Sequence, residues 1–316
     1  MTEIETIKAI RRLFPVHPEQ SNQCFTADAE LINLESGRYA FSLDEFSREE
    51  DFFDDRDLRL LGRNLAVAVV SDILATGSRP QFYLHAITEP YGRDGFAREL
   101  SEGIRDILTA CGCYLLGGDM GRGDAWRYTG VAIGLSHNHQ PLTRILPPRP
   151  QKLWLTGTLG DSNLCAFTGQ DVCAFELRLS EAEALPGLAT ACLDTSGGLL
   201  ESLRAFGLVN PSHSFHINAN SLPYDSRVRK IAEEKNLPLA GFAFGGAGEY
   251  ELLFSTDENV ALDFATCIGH AEESNKNPGL YWNAVRLPDE IPDPRMHKDK
   301  QIYINALLEM IKSCGI

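Results

Sequence analysis

No stretch of this 316-residue sequence reaches the ~18 consecutive apolar residues that a membrane-spanning helix needs, so no membrane segment is expected. Basic residues are scarce and scattered, 29 Lys and Arg against 44 Asp and Glu for a net charge of -15. That removes the basic face by which proteins grip phosphate backbones, and no nucleic-acid partner is expected. The cysteines include no CxxC pair and sit mostly among apolar neighbours, which excludes a zinc ribbon and a disulfide framework and suits buried, reduced thiols. Cys111-Gly112-Cys113 reads as a helix end running into a strand. There is no Walker A motif and no well-placed GxGxxG, so P-loop and Rossmann readings fail. No short-period repeat and no low-complexity tract is present. The first residues, Met1-Thr2-Glu3-Ile4-Glu5, are charged and lack the apolar core of a leader, and a cytoplasmic location is expected.

What is present is enough apolar material, 43% of residues, to fill two cores of ordinary size. Four prolines between Pro141 and Pro150 mark a boundary, giving expected domains of 1–145 and 146–316. In the first, Leu58, Leu61, Leu65, Val69 and Ile73 predict a helix over 56–76, stopped by Gly77 and Pro80. Phe96, Leu100, Ile104, Ile107 and Leu108 predict a second, ending at Gly112. A short strand, Tyr114-Leu115-Leu116, then leads to a Gly117-Gly118-Asp119 turn, and Arg127 to Leu135 reads as another strand. The second half predicts strands at 152–156, 214–217 and 250–254 and helices after Asp161 and at 198–206, 225–234 and 301–311. Strands and helices mix in both halves, so the expected class is α/β or α+β.

Four aspartates fall at polar–apolar junctions far apart in the chain: Thr26-Ala27-Asp28, Phe41-Ser42-Leu43-Asp44, Val70-Ser71-Asp72 and Gly117-Gly118-Asp119. Carboxylates gathered by a fold repel one another, and the usual compensation is a hard divalent cation that in turn binds phosphate oxygens. Glycine-rich turns at Gly117 to Arg122, Gly157 to Ser162 and Gly245 to Gly248 are candidates for holding phosphate on backbone N–H groups at helix starts.

Taken in order, Asp28, Ser42-Leu43-Asp44, Leu65 through Ser71-Asp72, Ala75 to Pro80, Gly117-Gly118-Asp119, Leu142-Thr143-Arg144, Leu155 to Ser162, Leu193 to Leu199 and Tyr250 to Phe254 form a colinear series. Over roughly residues 25–255 the chain resembles the thiamine-monophosphate kinases of the aminoimidazole-ribonucleotide-synthetase (AIR synthase)-like superfamily. The resemblance implies a two-domain fold: an N-terminal sheet-forming dimerisation domain and a C-terminal α+β domain, with ATP and several Mg2+ ions in the cleft between them. It implies Asp28, Asp44, Asp72 and Asp119 as magnesium ligands. Gly118 and Arg122 would lie beside the nucleotide phosphates, Arg144 would be a further phosphate contact, and Ser196 would remain from the S-D-G block. The expected partners are a small phosphate acceptor, led by thiamine monophosphate, and a second copy of the chain.

The sequence also departs from that pattern. Ala27 and Gly197 stand where the family carries carboxylates, Ser47 to Phe52 replaces an acceptor-side segment, and one residue is inserted in Gly245 to Leu252. Phosphoryl transfer depends on positioning and on cations, so such losses bear directly on rate. A superfamily enzyme with another acceptor and a non-catalytic nucleotide-binding paralogue therefore stay open beside the kinase. Glu49, Glu50, Asp51, Glu201 and Glu249 lie near the lost positions in sequence, though they read first as solvated charge. His137 and His139 read as turn residues, Asp161 as a structural cap, and Asp194 as an N-cap for the helix from Gly198.

Overall fold

The first half of the chain is laid down as α1 (Glu3–Arg11), β1 (Arg38–Ser47), α2 (Leu58–Ala75), β2 (Arg79–Pro90), α3 (Phe96–Cys111), β3 (Tyr114–Gly123) and β4 (Arg127–Ser136). The computed structural model describes residues 3–20, 32–49, 51, 53–136, 141–168, 173–274, 277–297 and 300–316. Helix α2 starts where Asp57 accepts the Leu60 amide and stops where Gly77 takes a positive φ of 69°. Its residues Leu61, Leu65, Val69 and Ile73 are all buried, each worth about 1.5–3 kcal/mol for full burial of a Val, Leu or Ile.

The four strands run in the order β1-β4-β2-β3, antiparallel except for the β2–β3 pair. Helix α2 lies against this sheet at glycines: a Cβ on Gly130 would come 2.5 Å from Val69, and one on Gly134 2.2 Å from Ile73. On its other side it meets α3 backbone to backbone. A Cβ on Gly62 would sit 2.0 Å from the Leu100 carbonyl oxygen, and one on Gly103 1.9 Å from that of Arg59. Beneath the helices, the buried Tyr83 and Tyr128 hydroxyls bond each other at 2.7 Å. The far face of β1 carries Phe41 and Leu43, 68% and 65% exposed.

The second half continues with β5 (Gln151–Thr156), α4 (Asp161–Thr168), α5 (Leu179–Ala184), β6 (Ala191–Asp194), α6 (Gly198–Val209), β7 (His213–Ile217), α7 (Ser226–Lys235), α8 (Leu239–Phe244), β8 (Leu252–Asp257), β9 (Ala265–Glu273), β10 (Gly279–Trp282), β11 (Val285–Arg286) and α9 (Lys300–Ser313). Its seven strands follow the order β11-β10-β7-β9-β5-β8-β6. Leu153, Leu155, Leu203, Phe206, Phe215, Phe242, Leu253 and Leu307 belong to its core. The chain divides after Pro141, and residues 174–183 belong with the first unit. That segment is tied there by the Phe175 amide, which donates to Asn64 at 3.0 Å, and by the Phe53–Phe175 ring contact.

Three expectations need correction. Gly117-Gly118-Asp119 is no turn: β3 runs on to Gly123, and the chain returns directly into β4 with no helix after it. Strand β2 was not expected from the sequence, because Pro80 and Pro90 stand near its ends and a bulge between Pro80 and Phe82 breaks the alternation. The strand expected from Tyr250 begins at Leu252, since Tyr250 sits at φ 55° and cannot extend it. The helix contact yields a test. Gly62→Ala gains about 1 kcal/mol of helix propensity but forces a methyl onto a carbonyl that cannot swing away. Over-packing at roughly 1–3 kcal/mol should win, and a lowered denaturant midpoint with unchanged slope is the expected result; a midpoint at or above wild type would show that the helices can part.

Candidate functional site

Alternation along β1 puts Ser42 and Asp44 on the same face, opposite Ala132 and Gly130. That face meets α2, whose last turn presents Asp72. The Ser42 hydroxyl donates to Asp72 Oδ2 at 2.6 Å and lies 3.5 Å from Asp44 Oδ2. A serine has one proton, so Asp72 takes it while the oxygen stays beside Asp44. Two carboxylates and a hydroxyl thus gather at one point, an all-oxygen donor set of the kind hard divalent cations take.

Asp119 is not brought to them. It stands on the edge strand β3 opposite Ala86, at the other side of the sheet and, by pleat parity, on the other face. Three strand spacings of about 4.8 Å separate β1 from β3. Gly118 pairs with His85, and a Cβ there would lie 2.4 Å from the His85 carbonyl oxygen and 2.5 Å from its ring. Arg122 reaches Glu89 at 3.5 Å and Asp94 at 3.8 Å. Asp28 lies outside the described residues, as do His137, His139 and Glu50. His85, to which the sequence drew no attention, is buried between Tyr83 and Tyr128, and that burial brings its pKa down to about 4. It is neutral at any ordinary pH.

In the second unit, Ser196 donates to Asp194 Oδ1 at 3.1 Å, and the exposed Arg144 accepts the Asn210 side-chain amide on its carbonyl at 2.8 Å. Asp194 is not the expected N-cap. It closes β6, and α6 starts from Gly197 without a side-chain cap. The turn from Thr195 to Gly198 is locked to the Gly245–Gly248 loop: a Cβ on Gly248 would sit 2.0 Å from the Ser196 carbonyl oxygen, and one on Gly198 2.4 Å from that of Gly245. Beside Gly197, Glu201 Oε2 comes within 2.5 Å of where a Cβ would be. A carboxylate one helical turn along therefore fills the space where position 197 has none. Gly197 and Gly246 also rim a cavity of about 680 Å3 lined by Leu200, Leu203, Phe215, Phe244 and Leu287.

The glycine turn at Gly157 to Ser162 does open a helix, but its acceptor is internal. Gly160 N–H donates to Glu249 Oε1 at 2.7 Å. Asp161, the first residue of that helix, pairs with Arg227, in keeping with a structural role. Glu249 is therefore buried rather than solvated, and so is Glu251, which accepts from Thr156 Oγ1 at 2.5 Å. Loss of hydration holds the Glu249 carboxyl well above the usual carboxylate range; the Gly160 amide opposes this, and the neighbouring Asp161 and Glu251 add to it.

Comparison with known proteins bears on these residues. The family model described as AIR synthase related protein, N-terminal domain, matches residues 26–136. The thiamine-monophosphate kinase of Buchnera aphidicola subsp. Schizaphis graminum is 24% identical over 318 residues, covering 90% of this chain and 96% of its own. The chain is thus similar to AIR synthase related proteins over its first domain and to thiamine-monophosphate kinases over most of its length. Solved structures share the expected two-domain α+β fold. Thiamine-monophosphate kinase from Stenotrophomonas maltophilia K279a superposes with a TM-score of 0.76 at 21% identity, over 90% of this chain and 97% of its own. AaThiL complexed with AMPPCP and TMP gives 0.70 at 18%, over 79% and 84%. The E. coli hydrogenase maturation protein HypE gives 0.73 at 18%, over 94% and 100%.

Glu249 supplies a pH test. A carboxyl whose folded pKa exceeds its unfolded value of about 4.3 contributes stability below that value and loses it as pH rises through the folded pKa. Glu249→Gln keeps an acceptor for Gly160 and cannot ionise. Its melting temperature should gain on wild type as pH is raised above the unfolded value and level off once the folded pKa is passed. Parallel curves would mean that Glu249 titrates normally.

Proposed function

We propose that this protein is an ATP- and Mg2+-dependent phosphotransferase that passes the γ-phosphoryl group to a small phosphate-bearing acceptor, with thiamine monophosphate foremost. The supporting observation is the Asp44–Ser42–Asp72 cluster, an all-oxygen set inside the segment that matches the AIR synthase model. The AaThiL neighbour with AMPPCP and TMP supports the donor and acceptor classes. Asp44 and Asp72 would hold one Mg2+, with Asp28 contributing from the segment before β1, and Asp119 would serve a further ion beside Gly118 and Arg122. Bound there, Mg2+ would neutralise phosphate charge as it develops. The chain's own contribution is to orient. Ser42 fixes Asp72, Gly118 lets β3 pack closely against His85, and Arg122 presents a guanidinium half turned to solvent. Within the second unit, Arg144 and Ser196 would be phosphate contacts, and Glu201 would stand in for the carboxylate that Gly197 lacks.

The lost carboxylates at Ala27 and Gly197 weaken oriented transfer more than nucleotide binding. ATP should raise the melting temperature only when Mg2+ is present, and Asp72→Asn should remove most of that shift. Turnover of thiamine monophosphate should be weak beside an intact family member. Robust turnover would show that nearby acids replace the missing ligands, whereas no Mg2+-dependent shift in wild type would end the phosphotransferase reading and favour a non-catalytic paralogue. A second reading keeps the donor and changes the acceptor. It is favoured by the replaced Ser47 to Phe52 segment and by the HypE likeness across 94% of the chain.

The assembly would be a homodimer. Phe41 and Leu43 stand exposed on β1, an edge strand, where an unpartnered apolar face invites a second copy. Sedimentation should give a dimer for wild type and a monomer for Leu43→Glu; a wild-type monomer at micromolar concentration would refute this.

A further inference from the structure

Three cross-strand neighbours in the second unit form a donor set unrelated to the aspartates above. His216 on β7 stands directly opposite His270 on β9, and Glu272 lies two residues further along β9 on the same face. The two imidazoles stack at 4.8 Å with an interplanar angle of 11°, and Glu272 Oε1 is 3.8 Å from His216 Nε2. One ligand atom from each residue falls within 4.8 Å of the other two. Tyr281 on β10, the registered partner of His216, stacks on its other side at 4.7 Å, and its hydroxyl is pinned to the Asn277 carbonyl at 2.9 Å.

The nearest cations on these strands are engaged elsewhere. Lys152, the β5 partner of His270, bonds the Val260 carbonyl at 2.8 Å, and Arg286, the β11 partner of Tyr281, bonds Asp289 at 2.9 Å. The sheet therefore holds two imidazoles and one carboxylate together at a half-exposed spot.

We propose that His216, His270 and Glu272 bind a divalent transition-metal ion of the zinc(II) class, with at least one position open to solvent. Two imidazoles and a carboxylate are a recurrent three-ligand set for zinc with water in the fourth place. Imidazole donors disfavour Mg2+ and so separate this site from the Asp44–Asp72 cluster. Zinc–ligand bonds of about 2.0–2.2 Å hold tetrahedral donors roughly 3.3 Å apart. The 4.8 Å limit leaves about 1.5 Å to close, within reach of modest side-chain rotation, and the strands need not move. Closure would link β7 to β9 through their side chains.

The test uses the full chain without an affinity tag and Co2+ as a visible probe, with Zn2+ competition followed by calorimetry. Wild type should bind one Co2+ per chain with the ligand-field bands of a low-symmetry site, and Zn2+ but not excess Mg2+ should displace it. Loss of an outer-shell partner already costs about 10–100-fold in affinity, so His270→Ala, at an exposed position, should weaken binding at least tenfold. Glu272→Gln should weaken it less, and circular dichroism would confirm that both variants fold. The cluster of Asp161, Cys165 and Cys173 is the competing location among the described residues. The Cys165→Ser/Cys173→Ser double variant should therefore bind as wild type does, without the sulfur-to-cobalt charge-transfer band. Unchanged affinity in His270→Ala, loss of binding in the cysteine variant, or no saturable binding of either metal would each overturn the proposal.

Discussion

The seating of α2 between two layers of glycine governs the first unit. Gly130 and Gly134 let Val69 and Ile73 sink onto the sheet, while Gly62 and Gly103 let the α2 and α3 backbones touch. With side chains at these places the helix would ride higher, and Asp72 at its last turn would stand off from β1. The 2.6 Å bond from Ser42 to Asp72 is thus a consequence of helix depth as much as of either residue. Close packing elsewhere follows the same logic, because a helix buried on two sides has no solvent face along which to adjust.

A second constraint runs through both units: helix starts that glycine patterns would offer to phosphate are served by internal glutamates. Glu89 accepts the Ala97 amide at the start of α3 at 3.1 Å, and Glu249 accepts Gly160 just before α4. Both side chains are buried, and a backbone N–H left free at a helix start gives each of them a hydrogen-bond donor. A glycine-rich turn before a helix therefore offers backbone donors without saying which acceptor fills them. The part of the candidate site best suited to a cation is instead the strand-to-helix cluster at Asp44 and Asp72.

Much of the architecture was legible in local patterns. Apolar spacing located α2, α3, α6, α7 and α9, and Gly112 in the left-handed region ends α3 between the two cysteines as expected. Strand β2 was not legible, because its prolines resemble punctuation, and β9 and β10 carry no strong alternation to announce them. Of the site, the aspartates stood out by chemical type, yet only register could say which of them meet. The i, i+2 spacing of Ser42 and Asp44 was visible and puts both on one face; the arrival of Asp72 depends on tertiary depth, which no window of sequence contains. Glu249 reads as surface charge in sequence because its burial is imposed by residues ninety positions away.

The parity of the first sheet bears on how phosphate chemistry would be organised. Asp44, Gly130, His85 and Gly118 form one row across β1, β4, β2 and β3, and the neighbouring row runs through Glu45, Thr129, Ala86 and Asp119. Adjacent rows point to opposite faces, so the sheet does not turn Asp119 toward the Asp44–Asp72 pair. Charges separated in this way avoid mutual repulsion without a cation. That geometry keeps Asp119 and the Asp44–Asp72 pair on separate faces of the sheet rather than in one cluster of aspartates. Of these groups, Asp72 is the one that the Ser42 hydroxyl holds in place. Preorganised donors lose less freedom on binding.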